Sequence, residues 1–489
     1  MSFAELSPLT LPLLAAFSAV LVMLVDLAVP RMRALGWFTA ALLVGLLAVS
    51  FLVDTSGELA SGVYRGNAWT VFFSRLFLTA ALLATLGAMD HVHRQYPRRQ
   101  AEYYALLLFS LVGMLILPGV RDLLLLVVAF ELMGIPLYVL AAYAKTDGAK
   151  TGPKSPAAEA ALKLYLVGAT STAITVFGLA LVVGMSGTTK LSEILGAATL
   201  MPLTKVGMMF VMGGISFKLG LVPFHMWVPD TYQGAPAPFV AFLSVAPKAA
   251  GMAALIALFV LAPAGHGSGP WTSALFILAA AAMIVGNVLA IPQTDVRRLL
   301  GYSGVAQMGY VLLGVATART EGLAMGAFYL AGYVFTNMGA FFVLHAVAGD
   351  AGRSDLVGLA GLSRRAPWLG VALLVFLLSL AGIPFVVGFW AKLYVLLAAF
   401  RAGFVGLVAL GVVLAVIGLF YYMQVARAAF MAEPTEPGVP PIGVGLRAAV
   451  LVCLIGVVGF GLWPRPIYDS ATAAAASLLG SGQRRAARE

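Results

Sequence analysis

The sequence predicts an all-α, polytopic membrane protein of about fourteen transmembrane helices, with two inverted five-helix repeats that each carry a broken fourth helix. Three observations carry that reading. Hydrophobic residues make up 61% of the chain and charged residues 10%, with a mean hydropathy of +0.99, a balance foreign to soluble domains. Apolar blocks of roughly 16–28 residues, the length of a membrane helix, recur from end to end. Two of them, 203–224 and 368–399, are interrupted by Gly and Pro and carry a lysine at the interruption. Paired interruptions of that kind mark the central site of transporters built from inverted repeats.

The first block, 8–29, reads as a retained helix, because Glu5 stands where the basic n-region of a signal peptide belongs and no A-x-A site precedes Arg31 and Arg33. With 35–53 and 69–90 it makes an N-terminal set over residues 1–102. Blocks 103–118, 121–144, 157–184, 203–224 and 236–261 make the first repeat, 103–261. The second repeat, 271–430, holds 271–290, 297–316, 322–348, 368–399 and 404–430. An odd number of helices per unit inverts the second copy. The block 445–463 and a tail complete 445–489, and the tail, with Arg484, Arg485 and Arg488, reads as a flexible end.

Net charge is +10, and the basic residues alternate by loop. Arg31 and Arg33; Arg94, Arg98 and Arg99; Lys145, Lys150 and Lys154; Arg297 and Arg298; Arg353, Arg364 and Arg365; and Arg447 fall on one side. The positive-inside rule makes that side cytoplasmic and puts both termini outside. Cys453 is the single cysteine, which excludes disulfides and cysteine-ligated zinc or iron–sulfur centres within this chain. His91, His93, His266 and His345 read as interfacial, solvated groups. The sequence holds no phosphate-cradling glycine loop, and Gly382 and Gly388 read as helix-packing or break glycines. Redox cofactors, nucleic acid and metal are not expected on this chain.

The charges inside the apolar blocks carry the chemistry. Lys218 and Lys248 bracket KLGLVPFHMWVPDTYQGAPAPFVAFLSVAPK, where Pro223, Pro229, Gly234, Pro236 and Pro238 forbid a continuous helix. A lysine at membrane depth costs about 2.5–3.5 kcal/mol and is a functional candidate by default. His225, Trp227 and Asp230 follow the break and are also what an ordinary interfacial turn would hold. Glu131 lies mid-block, with Gly134 and Pro136 loosening the helix after it. Lys163 lies about two turns into its block, where snorkelling to the interface competes with burial. Lys392 follows the Gly382 and Pro384 interruption. Burial disfavours the charged form of a lysine and a nearby carboxylate favours it, so small changes in pairing load or release a proton. Glu131 is the natural partner of Lys218, with a static buried ion pair as the alternative.

With these residues placed, the chain resembles the antiporter-like membrane subunits of NADH–quinone oxidoreductase, respiratory complex I, and most closely the subunit N branch. The resemblance rests on FKLGLVPFHMWVPDTYQGAPAP, the Glu131 helix, AALKLYLVGA around Lys163, RRLLGYSGVAQMGY at 297–310 and GIPFVVGFWAK at 382–392, in the family's order. It is strong over about 103–430. DTYQGAP and Lys392 separate subunit N from the M branch, and the absence of a long lateral helix separates it from L.

The resemblance implies a membrane-arm subunit that moves protons as quinone is reduced elsewhere in the complex. It implies Glu131 and Lys218 as the coupling pair, Lys163 as their neighbour, Lys248 as the central relay and Lys392 as the terminal donor. Pro247 departs from the pattern and predicts a kink before Lys248. Tyr333 and Asn337 stand where relatives such as L place histidines, so a path through the second half relies on water and hydroxyls such as Tyr302, with His225 a further relay candidate. NADH, FMN, iron–sulfur clusters and quinone belong to partner subunits. Subunits of the M type and small K-, J- and A-type subunits are the expected neighbours, in a bacterial inner membrane. A multisubunit sodium/proton antiporter subunit is the competing reading, and a scaffold without ion traffic a second one.

Overall fold

The structure is a computed structural model and describes residues 3–29, 32, 34–59, 62–146, 156–197, 202–261, 270–349, 353–435 and 442–486. Arg31, Arg33, Lys150, Lys154, His266 and Arg488, named above, lie outside the described residues.

The chain opens with α1 (Thr10–Ala28) and α2 (Leu35–Leu52), a short hairpin of β1 (Gly57–Glu58) and β2 (Arg65–Gly66), and α3 (Ala68–Gln95). Next come α4 (Gln100–Ile116), α5 (Leu123–Ala141), α6 (Pro156–Ser186), the short α7 (Leu191–Ala197), α8 (Pro202–Leu219), α9 (Trp227–Gly234), α10 (Ala237–Leu243) and α11 (Ala246–Ile256). The second half holds α12 (Pro270–Ala290), α13 (Val296–Ala316), α14 (Thr320–Ala348), the one-turn α15 (Leu362–Arg365), α16 (Pro367–Ala381), α17 (Val387–Arg401) and α18 (Val405–Met431). The last helices are α19 (Val444–Leu462) and α20 (Arg465–Ala486).

Among the described residues twelve helices are long and apolar enough to cross a membrane, α10 and α11 counting together as one. The interrupted pairs α8–α9 and α16–α17 occupy the two remaining apolar blocks, so the fourteen blocks of the sequence all find helical counterparts. Polar residues mark where helices begin. The Asn67 side chain accepts from Thr70 N while Thr70 Oγ1 accepts from Asn67 N, a reciprocal cap on α3. The carboxylate of Asp122 caps α5 and that of Asp295 caps α13.

Burial sorts the helices into a centre and a rim. The span Ala237–Val260 is 100% buried within the chain, and α13 and α14 are 94% and 89% buried, whereas α18 is 28% buried. In both halves the helix before the interrupted pair packs on both of its members: α6 on α8 and α9, and α14 on α16 and α17. The two interruptions are built alike. Gly220 (φ +68) ends α8 and Gly382 (φ +87) ends α16, in a backbone region that side chains with a Cβ avoid. The loop between α16 and α17 is also tight, since a Cβ on Gly388 would lie 1.9 Å from Ser379 O.

Three expectations are corrected. Gly134 and Pro136 do not loosen α5, which runs unbroken to Ala141. Neighbouring helices support it there: Gly113 of α4 lies against the backbone of Ala129 and Met133, and Ser110 Oγ donates to Met133 O. The tail begins later than expected: residues 465–478, which follow the last apolar block, lie in α20, whose buried stripe Ala471, Ala474, Ala475 and Leu478 packs on α3 and α14. His345 is not a solvated interfacial group but is buried, with its ring edge-on to His91 at 5.3 Å.

Candidate functional site

The first charged pair lies between α5, α6 and α8, in a small cavity that both charged heads line. Lys218, in the last turn of α8, places Nζ 3.9 Å from Glu131 Oε1, at the outer limit of an ion pair. Each head has a nearer oxygen. Lys218 Nζ lies 3.2 Å from the Tyr138 hydroxyl, and the Thr172 hydroxyl donates to Glu131 Oε1 at 2.8 Å. Side-chain exposure is 9% for Lys218 and 29% for Glu131, so the carboxylate faces the flank of the chain.

Lys163 stands apart from that pair. Its ammonium binds Glu159 at 2.7 Å and Asp230 at 2.8 Å, with 44% of the side chain exposed. The expectation that Lys163 is buried is therefore corrected: it lies about two turns into α6, partly exposed, where two carboxylates hold it. Asp230, on α9, also pairs with Arg298 of α13 and so ties the two halves together. Arg298 lies 5.9 Å from the Tyr302 ring, and Tyr302 lies 6.4 Å from the His225 ring. Tyr302, on α13 of the second half, therefore lies beside this charged cluster at the first break. Trp227, by donating to Phe217 O across the break, takes up one of the freed carbonyls.

Lys248 is fully buried. The kink expected from Pro247 is present as a turn at Ser244 and Val245, which separates α10 from α11 and puts Lys248 in the first turn of α11. Two glycines leave room for its head: a Cβ on Gly304 would lie 3.1 Å from Nζ, and one on Gly220, at the first break, 3.8 Å. The nearest aromatic face is that of Tyr232, 5.4 Å away. Lys248 Nζ, Tyr232 OH, Tyr333 OH and Asn337 Oδ1 are buried polar atoms without a hydrogen-bond partner among the described residues. Asn337 Nδ2 donates to Ser244 Oγ at the kink. Buried groups of this kind are ordinarily satisfied by internal water.

Lys392 is buried in the first turns of α17, and its ammonium donates to Leu380 O at 2.7 Å and Ala381 O at 3.1 Å. The break thus frees two carbonyls and the lysine downstream satisfies them. Leu380 O also accepts from Gln307 Nε2 at 3.0 Å. Gln307 in turn donates to Tyr422 OH and accepts from Tyr329, while Tyr422 OH meets Ser303 Oγ at 2.5 Å. A continuous hydrogen-bonded set therefore leads from Ser303, beside the Gly304 gap at Lys248, to Lys392.

Sequence reasoning passed over Tyr138, Thr172, Ser303, Gln307, Tyr329 and Tyr422. A signal for some of them existed: Tyr138 follows Glu131 by seven residues, and Ser303 and Gln307 are four apart, so each set shares a helix face. Hydroxyls and amides cost far less at membrane depth than charges, so hydropathy alone does not mark them.

A polytopic helical bundle with two interrupted helices and lysines at both breaks defines an antiporter-like membrane subunit. Residues 120–418 match the family model described as NADH:quinone oxidoreductase/Mrp antiporter, transmembrane. NADH-quinone oxidoreductase subunit N of Heliobacterium modesticaldum is 38% identical over 84% of this chain and 85% of its own length. A chain of respiratory complex I from Thermus thermophilus superposes with a TM-score of 0.80 at 33% identity, covering 95% of this chain and 100% of that one. A chain of the Mrp complex of a Dietzia species shares the fold, with a TM-score of 0.83 at 22% identity over 98% of both chains. The chain belongs to the NADH:quinone oxidoreductase/Mrp antiporter transmembrane family, among the relatives named NADH-quinone oxidoreductase subunit N.

Proposed function

We propose that the chain carries protons across a bacterial inner membrane as a membrane-arm subunit of an NADH–quinone oxidoreductase, through Glu131, Lys218, Lys248 and Lys392. The observation that carries this reading is Lys248, a fully buried ammonium-forming group without a hydrogen-bond partner among the described residues, set beside the first helix break. A buried lysine with no fixed counter-charge is costly as a structural element and suited to alternate between charged and neutral forms. The set from Ser303 to Lys392 would orient a second stage in which the proton itself moves over internal water, since Leu380 O accepts from both Gln307 and Lys392, and the open Glu131–Lys218 pair would serve as a first. Lys163, His225 and Tyr302 would serve at the charged cluster around Asp230, on the cytoplasmic side.

In this reading the two five-helix sets, 103–261 and 271–430, are inverted copies that follow an N-terminal set, 1–102, and precede 445–489. Both termini are outside, following the distribution of arginines. NADH, FMN, iron–sulfur clusters and quinone are handled by partner subunits, and M-type and small K-, J- and A-type subunits flank this chain. A sodium/proton antiporter subunit would share the fold, but among superposed structures identity to the complex I chain is higher than to the Mrp chain, 33% against 22%. Purification from native membranes distinguishes the two: flavin and iron–sulfur absorbance should accompany this chain, and their absence favours the antiporter. Lys392→Ala and Lys218→Ala in assembled complex should lower protons translocated per quinone reduced. A normal ratio in both removes the relay.

A further inference from the structure

The Glu131–Lys218 pair lies at the outer limit of an ion pair, with a hydroxyl close beside it. The ammonium is nearer to the Tyr138 hydroxyl, at 3.2 Å, than to the carboxylate, at 3.9 Å. Room for the phenol is provided on two helices. A Cβ on Gly168 of α6 would lie 2.3 Å from the Tyr138 oxygen, and one on Gly134 of α5 would lie 3.4 Å from that oxygen and 3.2 Å from Lys218 Nζ. The Tyr165 ring, 5.9 Å away and edge-on, bounds the phenol on the other side. Thr172 meanwhile occupies Glu131 Oε1, the oxygen facing the lysine.

We infer that Tyr138 is a positioning residue that keeps Lys218 and Glu131 apart, so that the pair opens and closes during proton transfer and does not settle into a closed ion pair. This rests on the relay reading. A phenol hydroxyl both donates and accepts. It accepts a hydrogen bond from the ammonium form of Lys218 and donates one to the neutral amine, so it serves either protonation state. A carboxylate in direct contact favours only the charged one, and its attraction grows as the distance falls. Without the hydroxyl, Lys218 is left with Glu131 as its oxygen partner among the described residues.

The test is Tyr138→Phe, which keeps the ring and removes the hydroxyl, in the whole complex with assembly checked by native gel. Proton translocation and quinone reduction should fall together by about tenfold. Gly168→Ala is an independent second variant, since its methyl displaces the hydroxyl, and it should slow turnover in the same way. Combining Tyr138→Phe with Glu131→Asp, which draws the carboxylate back by one methylene, should recover the rate to within about threefold of the parent. A merely structural role for Tyr138 makes the two losses add. Parental rates in Tyr138→Phe, or no recovery in the double variant, overturn the inference. Parental proton ratios in assembled Lys218→Ala and Lys392→Ala complexes overturn the relay reading itself and this inference with it.

Discussion

Lys248→Met should make the protein more stable and less active. The side chain keeps its length and apolar stem but loses a buried ammonium-forming group that has no hydrogen-bond partner among the described residues. Removing an unsatisfied buried donor is worth about 1–3 kcal/mol, and well-packed apolar replacements of buried charged groups are often neutral or stabilising. Lys248→Arg should do the reverse for stability. The head is enclosed by the Gly304 and Gly220 backbones, where Cβ atoms would lie 3.1 and 3.8 Å away, so a guanidinium overpacks the site at a cost of about 1–3 kcal/mol. It also keeps its charge at any working pH. The expected order of stability is Met, Lys, Arg, and the expected order of pumping is Lys far above both. Thermal midpoints of the purified complex give the first order, with shifts of a few degrees, and proton uptake by inverted vesicles gives the second. Assembled Lys248→Met complex that pumps at the parental proton-to-electron ratio, or that melts earlier than the parent, would refute the reasoning.

Glu131→Gln keeps the shape and the Thr172 contact but removes a charge 3.9 Å from Lys218, worth about 4 kcal/mol at an effective dielectric near 20 and about 1 kcal/mol if water screens it fully. Because Glu131 is partly exposed, a loss of coupled turnover of roughly 30-fold, near 2 kcal/mol, is expected in vesicle assays, with assembly intact. Asp230→Asn removes the ion pair to Arg298 and leaves Lys163 with Glu159 alone, but these groups are partly exposed, so the cost is about 1 kcal/mol or less and should shrink when thermal midpoints are compared at high salt. Gln307→Leu strips hydrogen bonds from Leu380 O, Tyr422 and Tyr329 at once and should lower the thermal midpoint more than Asp230→Asn does, with a cost of about 2–4 kcal/mol. A cysteine introduced at Arg98 should react with an impermeant maleimide in inverted vesicles and not in intact cells; labelling of intact cells would reverse the orientation.

The residue pattern by itself determined the helices and where they break. Span length, the cost of charge in hydrocarbon, the missing N–H of proline and the left-handed backbone open to glycine are properties of a few consecutive residues. They can be read without knowing what lies opposite. That is why the interruptions at Gly220 and Gly382, the turn ahead of Pro247 and the burial of Lys248 and Lys392 all agree with the expectation from sequence. Only the tertiary structure decided what each charge faces. Lys163 could turn toward Glu131 or toward the end of its helix, and the arrival of Asp230 on α9, 67 residues later, selects the second. Lys392 meets carbonyls freed by its own helix break, and Gln307 joins it there from 73 residues upstream of Leu380. The same holds for the last helix: α20 has enough polar residues to read as a tail, and it is ordered because its alanine stripe finds α3 and α14. Partner choice in a membrane bundle depends on the approach of helices remote in sequence, at distances of a few ångströms that small residues permit, and no local pattern encodes that approach.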